Sequence, residues 1–302
     1  MTASLHGLVA ATHTPFDAEG RLNLSVVEGQ AAHLHRSGVR AVFIGGTTGE
    51  SHSLTVAERR ALAEEWATVV RGSPLRMVLH VGANCLADAR MLAEQAQQLG
   101  VSAIAAVAPS YFKPQTLNVL IECCRAIAAA APTVPFYYYD IPAFTGIHLS
   151  MPDFLASAAD RIPTLAGIKF SNVDLMAYQR CLRSHNGRFD VPWGVDECLL
   201  AALALGGLGG VGSSYNFAAA IYLRLMDAFK KADLAAAREE QYRSVRLIQL
   251  LSDFGYLAAA KAVMGMLGVP VGPPRLPNAP LELGRHEELR TALEQMGFFN
   301  WI

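Results

Sequence analysis

This sequence is short of charge, and shorter still of lysine. Only 17% of its 302 residues are charged, the formal net charge is −1, and the lysines number five. Nucleic acid and anionic membrane surfaces both demand a basic excess, so neither is expected as a partner. The five cysteines, Cys85, Cys123, Cys124, Cys181 and Cys198, are odd in number and show no CxxC spacing. A disulfide framework or a structural zinc site is therefore not expected, and free thiols in a reducing cytoplasm are. No run approaches the ~18 apolar residues of a membrane-spanning helix. Met1–Gly7 also lacks the basic-then-apolar pattern of an export signal.

Cofactor motifs are equally scarce. His33 and His35 are two apart and diverge on a helix, no HExxH occurs, and no GxGxxG follows the first apolar run. Metal and dinucleotide chemistry are not expected. The reaction, if there is one, must come from side chains.

What is present is a chain 52% hydrophobic, ample for a large core. Short apolar runs alternate with helical patterns: residues 7–12, 39–44, 76–81, 103–108, 135–139, 165–169, 190–193 and 209–213 read as strands. Thr55-Val-Ala-Glu58 has capping-box spacing and opens one of the intervening helices. Eight strand–helix units with continuous apolar strands predict an α/β fold, a (β/α)8 TIM barrel over residues 1–231. Residues 232–302 read as a C-terminal helical extension packed on it, interrupted by the proline-rich stretch 269–277.

In such a barrel the reactive groups lie at the carboxyl ends of the strands. Those positions hold Gly45-Gly-Thr-Thr-Gly-Glu50, Ser110-Tyr111, Tyr139, Lys169 with Ser171, Gly194-Val-Asp-Glu197 and Ser213. Of the five lysines, Lys230 and Lys231 end a helix, Lys113 precedes a proline, and Lys261 in an apolar helix can snorkel to solvent. Only Lys169 ends a strand lining the interior. Desolvation there favours the neutral, nucleophilic amine. Position alone leaves a Schiff-base lysine and an ion-paired structural lysine equally open. Tyr137 and Tyr138 read as core, while Tyr139 at the strand tip can shuttle a proton. The Gly45–Glu50 turn lacks the lysine of a phosphate loop and suits a small carboxylate.

Gly45–Glu50, Tyr139-x-Ile-Pro142 with Thr145-Gly146, and Gly167-Ile-Lys169 together resemble the dihydrodipicolinate synthase/N-acetylneuraminate lyase family of class I pyruvate aldolases. Pro135–Tyr139, Lys169-Phe-Ser171, Gly194–Glu197 and Gly212-Ser-Ser-Tyr-Asn216 extend the resemblance along the chain, toward its lyase branch. The resemblance implies a cofactor-free, usually tetrameric enzyme. In it Lys169 forms the Schiff base, Tyr139 transfers protons, and Thr47 and Thr48 hold the pyruvyl carboxylate. Tyr111, reaching into a neighbouring subunit, extends the proton relay. Ser171, Gly194, Asp196, Glu197 and Ser213 contact the hydroxylated tail. The implied reaction is reversible cleavage of N-acetylneuraminate to pyruvate and N-acetylmannosamine. Three alternatives remain: an aldolase or dehydratase for another 2-keto sugar acid, the dicarboxylate-forming synthase, and a non-catalytic sugar-binding barrel. Phe144 stands where the synthases place an arginine, against the second of these. Asp140 departs from the His or Asn usual in the lyases, and strand alternation after an inward Tyr139 turns its side chain outward. Ser110 departs too, replacing an aromatic before Tyr111.

Overall fold

The computed structural model describes residues 4–282 and 284–302. Met1–Ala3, part of the stretch read above for an export signal, and Leu283 lie outside the described residues. Seven parallel strands form the sheet: β1 Gly7–Ala11, β2 Ala41–Ile44, β3 Arg76–His80, β4 Ala103–Ala106, β5 Phe136–Asp140, β6 Leu165–Phe170 and β7 Gly209–Gly212. Their order is β6-β5-β4-β3-β2-β1-β7. The intervening helices are α1 Val27–Arg36, α2 Val56–Val70, α3 Leu86–Leu99, α4 Leu117–Ala128, α5 Pro142–Thr145, α6 Met151–Ala158, α7 Leu175–Arg183, α8 Leu199–Ala204 and α9 Tyr215–Lys230. The capping box of α2 forms as predicted: Glu58 N–H donates to Thr55 Oγ1, and Thr55 N–H donates to Glu58 Oε2.

The predicted strand at 190–193 survives only as isolated bridges, Gly167–Asp190, Phe170–Trp193 and Trp193–Gly210. These bridges span the gap between β6 and β7 and close the barrel. Against β6 the rungs are Asp190 N–H to Ala166 O, Ile168 N–H to Asp190 O, Phe170 N–H to Pro192 O and Gly194 N–H to Phe170 O. The rung absent from that series would be donated by residue 192, and a proline has no N–H. One imino acid turns an eighth strand into a bridged segment.

Side chains alternate between two cores, as the pleat requires. Val9, Phe43, Val78, Ala105, Tyr139 and Val211 belong to the inner one, inside the barrel. Ile44, Leu79, Tyr138, Ile168 and Phe170 belong to the outer one, beneath the helices. The C-terminal layer comprises α10 Leu234–Asp253, α11 Tyr256–Met266 and α12 Arg285–Met296. α10 lies along α9, and the chain turns by 110° at Gly255 before entering α11. No single described helix is long and apolar enough to cross a membrane.

Candidate active site

Simple alternation from Ala166, an inner-core residue, would point residue 168 inward and Lys169 outward. A β-bulge reverses this. Phe136 pairs with Leu165, but Tyr137 pairs with Gly167, so β6 carries one extra residue. Register resumes with Tyr139 opposite Lys169, both on the inner face. The bulge needs glycine: a Cβ on Gly167 would lie 1.7 Å from the Asp190 carbonyl oxygen. Lys169 is 4% exposed, with Nζ 3.5 Å from the Tyr139 ring centroid and 4.6 Å from that of Phe43. Such contacts hold the amine against two π faces. The ion-paired alternative for this lysine finds no partner among the described residues.

The Gly45–Glu50 turn lies against this pair. Thr47 Oγ1 is 3.2 Å from the Tyr139 hydroxyl, in hydrogen-bond reach. Thr47 is exposed and Thr48 half-buried, so both hydroxyls remain open to a ligand. Glu50 closes the turn in the left-handed region, with φ of 54°.

Lysine 261 does not snorkel. It is 2% exposed, and Nζ donates to Glu50 Oε1 at 2.8 Å, to Thr14 O and to Pro273 O. Glu50 Oε2 accepts from Arg275 N–H. Burial pulls Lys261 below the ordinary lysine range, with Glu50 pulling the other way. A helix-face pattern could not reveal that α11 packs against the open end of the barrel, where a carboxylate waits. Lys261→Met strands that carboxylate and should cost about 3–5 kcal/mol of stability, read from urea unfolding. Glu50→Gln in addition should recover part of the loss, because no buried charge is then left alone. A Lys261→Met loss below about 1 kcal/mol would contradict the assignment.

Outward of the lysine–tyrosine pair opens a cleft of about 910 Å³, lined by Ser171, Gly194, Asp196, Glu197, Ser213 and Tyr256, among others. Lys169 and Tyr139 do not line it but sit buried beside it, Lys169 two residues before Ser171 and Tyr139 next to Asp140, while Thr47 joins them through the Tyr139 hydroxyl. Lys169 lies close enough for its charge to draw the Asp196 carboxyl downward, against the larger upward push of burial. Asp196 Oδ2 already accepts from Ser214 N–H at 2.9 Å and Ser214 Oγ–H at 2.6 Å. The Ser213 N–H also hydrogen-bonds this carboxylate. Glu197 is half-buried, and burial followed by the Asp196 charge pushes its carboxyl up. Ser171 Oγ is buried with no protein partner, beside Gly194, where a Cβ would lie 2.0 Å from that oxygen. Ser213 Oγ is 2.6 Å from the Tyr256 hydroxyl.

Tyr256 was not legible in the sequence as a site residue. Its only local signal is the Gly255-Tyr256 break between two helices. Ser214, buffering Asp196, was likewise missed. Tyr111 lies apart from Tyr139 within the chain: it is 79% exposed, with its ring against the equally exposed Phe112. Its loop is held by Asn84 Oδ1, which accepts from both Ser110 and Tyr111 N–H.

Asp140 turns away from Tyr139, as alternation predicts, but toward protein and not toward water. It is buried on the cleft wall, with Oδ2 accepting from Asn172 Nδ2–H at 3.2 Å. Burial pushes its carboxyl up to about 6, while the Asn172 amide pulls it down. Its folded pKa exceeds the ordinary value of 3.8, so the native state holds this proton more tightly and stability falls as pH rises between those values. Asp140→Asn should abolish that slope. It should gain on the order of 2 kcal/mol at pH 7 and little at pH 4, by chemical denaturation at both. An equal gain at both would contradict the burial account.

Comparisons with known proteins bear on the family and the fold. The model of the "Dihydrodipicolinate synthetase family" matches residues 4–296. N-acetylneuraminate lyase of Mus musculus is 42% identical over 277 residues, covering 90% of this chain and 87% of that protein. The solved structure of Proteus mirabilis N-acetylneuraminate lyase superimposes with a TM-score of 0.95 at 39% identity, covering 98% of this chain and 99% of that one. That of the Aliivibrio salmonicida N-acetylneuraminate lyase (sialic acid aldolase) gives 0.94 at 41% identity, covering 99% and 98%. With one family model spanning nearly its whole length, and curated relatives near two-fifths identity over most of it, this chain belongs to the dihydrodipicolinate synthetase family.

Proposed function

We propose that this chain is a class I aldolase that reversibly cleaves N-acetylneuraminate to pyruvate and N-acetylmannosamine. The carrying observation is a buried lysine amine 3.5 Å from the ring of a tyrosine whose hydroxyl meets Thr47. The Lys169 amine attacks the C2 ketone of the open-chain substrate, and loss of water leaves an iminium that serves as the electron sink. Thr47 and Thr48 hold the adjacent carboxylate. The Tyr139 oxygen accepts the C4 hydroxyl proton as the C3–C4 bond breaks. That electron pair flows into the iminium, giving an enamine and the aldehyde product. Protonation at C3 and hydrolysis then release pyruvate and free Lys169. The iminium does the work of a Lewis acid, so the reaction needs neither metal nor organic cofactor.

Ser171, Gly194, Asp196, Glu197 and Ser213 line the cleft where the hydroxylated tail lies. Carboxylate and hydroxyl acceptors left unpaired by a shorter substrate supply the discrimination. Phe144 lines the same cleft where a second substrate carboxylate would need a cation, which weighs against the dicarboxylate-forming reaction. Exposed Tyr111 and Phe112 fit a homotetramer in which Tyr111 enters a neighbouring subunit's site, and we place the enzyme in the cytoplasm. Incubation with N-acetylneuraminate should release pyruvate and N-acetylmannosamine in equal amounts. Turnover of other 2-keto sugar acids with none of N-acetylneuraminate would overturn the substrate assignment.

A further inference from the structure

His80 is a buried titratable side chain beside the reacting pair that the chemistry above leaves unused. It ends β3 two residues beyond the inner-core Val78, and so faces the barrel interior. Its ring meets that of Tyr139 edge-on, centroids 5.8 Å apart, and lies 6.1 Å from that of Phe43. Nδ1 is 2.8 Å from the Gly45 carbonyl oxygen, and Val107 N–H donates to Nε2 at 3.3 Å. A carbonyl only accepts and an amide N–H only donates, so these two contacts put the hydrogen on Nδ1 and the lone pair on Nε2; Arg59 Nη2, 3.5 Å from Nδ1, donates instead to the His80 carbonyl at 2.8 Å. Burial, then the charges of Arg59 and His52, hold the ring well below the ordinary histidine range, which keeps it neutral. Arg59 on α2 secures the end of β3 by donating to His80 O at 2.8 Å and Gly82 O at 2.9 Å.

We propose that His80 is a positioning residue for the keto-acid subsite. Its Nδ1–H anchors Gly45, and its ring braces Tyr139, so that Thr47 and the Tyr139 hydroxyl meet. Gly45 stands two residues before Thr47, and Thr47 Oγ1 contacts the Tyr139 hydroxyl. One side chain therefore touches both halves of that contact. The competing role is simple filling of the barrel interior. The two roles differ in which atom matters: filling requires only volume, whereas positioning requires a donor at the δ position. The inference rests on the aldolase reading of this site.

Three substitutions separate the roles. His80→Asn keeps an amide N–H at the δ position, His80→Gln moves the amide out to the ε position, and His80→Phe keeps the ring with neither nitrogen. The readout is the pyruvate concentration that half-saturates borohydride trapping on Lys169, alongside thermal melts of each full-length protein. His80→Asn keeps the δ donor but gives up the ring, so it should need about threefold more pyruvate than wild type, while His80→Gln and His80→Phe, which lose the δ donor, should each need about tenfold more. If His80→Phe does not fold, the Asn and Gln proteins decide alone. Equal half-saturation for Asn and Gln, or a wild-type value for folded Phe, would overturn the positioning role. Wild-type protein that pyruvate cannot trap at all would overturn the aldolase reading, and this inference with it.

Discussion

Lys169→Met should abolish cleavage of N-acetylneuraminate, lowering turnover by on the order of 10⁴-fold or more, as expected when a covalent nucleophile is removed. Methionine keeps the unbranched stem that lies between the Phe43 and Tyr139 rings, so the barrel interior stays filled. It removes an amine that is 4% exposed, whose desolvation opposes folding, so stability should hold or rise. Loss of activity with an undiminished thermal midpoint therefore separates chemistry from folding. Thr47 is held by its contact with the Tyr139 hydroxyl, which the substitution leaves in place, so pyruvate should still bind, reversibly and without covalent capture. Residual turnover within about 100-fold of wild type would mean that Tyr139 and the turn catalyse without an iminium. That would contradict the class I mechanism.

Tyr139→Phe should lower turnover by about 10²–10⁴-fold, the usual worth of a positioned proton transfer. The ring itself should be retained in place, because it is held edge-on by Phe43 and His80, at centroid separations of 5.7 and 5.8 Å. Only the hydroxyl and its contact with Thr47 are lost. Lys169 keeps its partner face, so iminium formation with pyruvate should continue. The expected signature is a split: bond cleavage collapses while borohydride trapping survives. A parallel loss of both would reassign Tyr139 to imine formation or to packing. Full activity would remove it from the mechanism.

Much of this was readable from the sequence, and the failures share a cause. Periodicity and turn residues located the strands, the capping box of α2 and the lysine at the end of β6. Those signals are local. Pro192 cost the eighth strand a rung, visible only once its donor slot toward Ile168 was known. Alternation counted from Ala166 would have sent Lys169 out of the barrel. Its inward direction depends on a bulge at Gly167, forced by the approach of the Asp190 carbonyl from another segment. Lys261 looked like a surface-seeking residue because its partner, Glu50, lies 211 positions away. His80 and Tyr256 were overlooked for the same reason: a histidine ending an apolar strand and a tyrosine after a helix break gain meaning only from neighbours in space. Asp140 shows the reverse case, where local alternation gave the right direction but burial supplied the environment.

The most direct test of the central claim is the site of pyruvate capture. Wild-type protein incubated with pyruvate and borohydride should gain one reduced pyruvyl group per chain. Peptide mass analysis should place it on the segment containing Lys169. Lys113, Lys230, Lys231 and Lys261 should remain unmodified. The same protein should also split N-acetylneuraminate. No adduct on Lys169, or an adduct on another lysine with Lys169 free, would contradict the account.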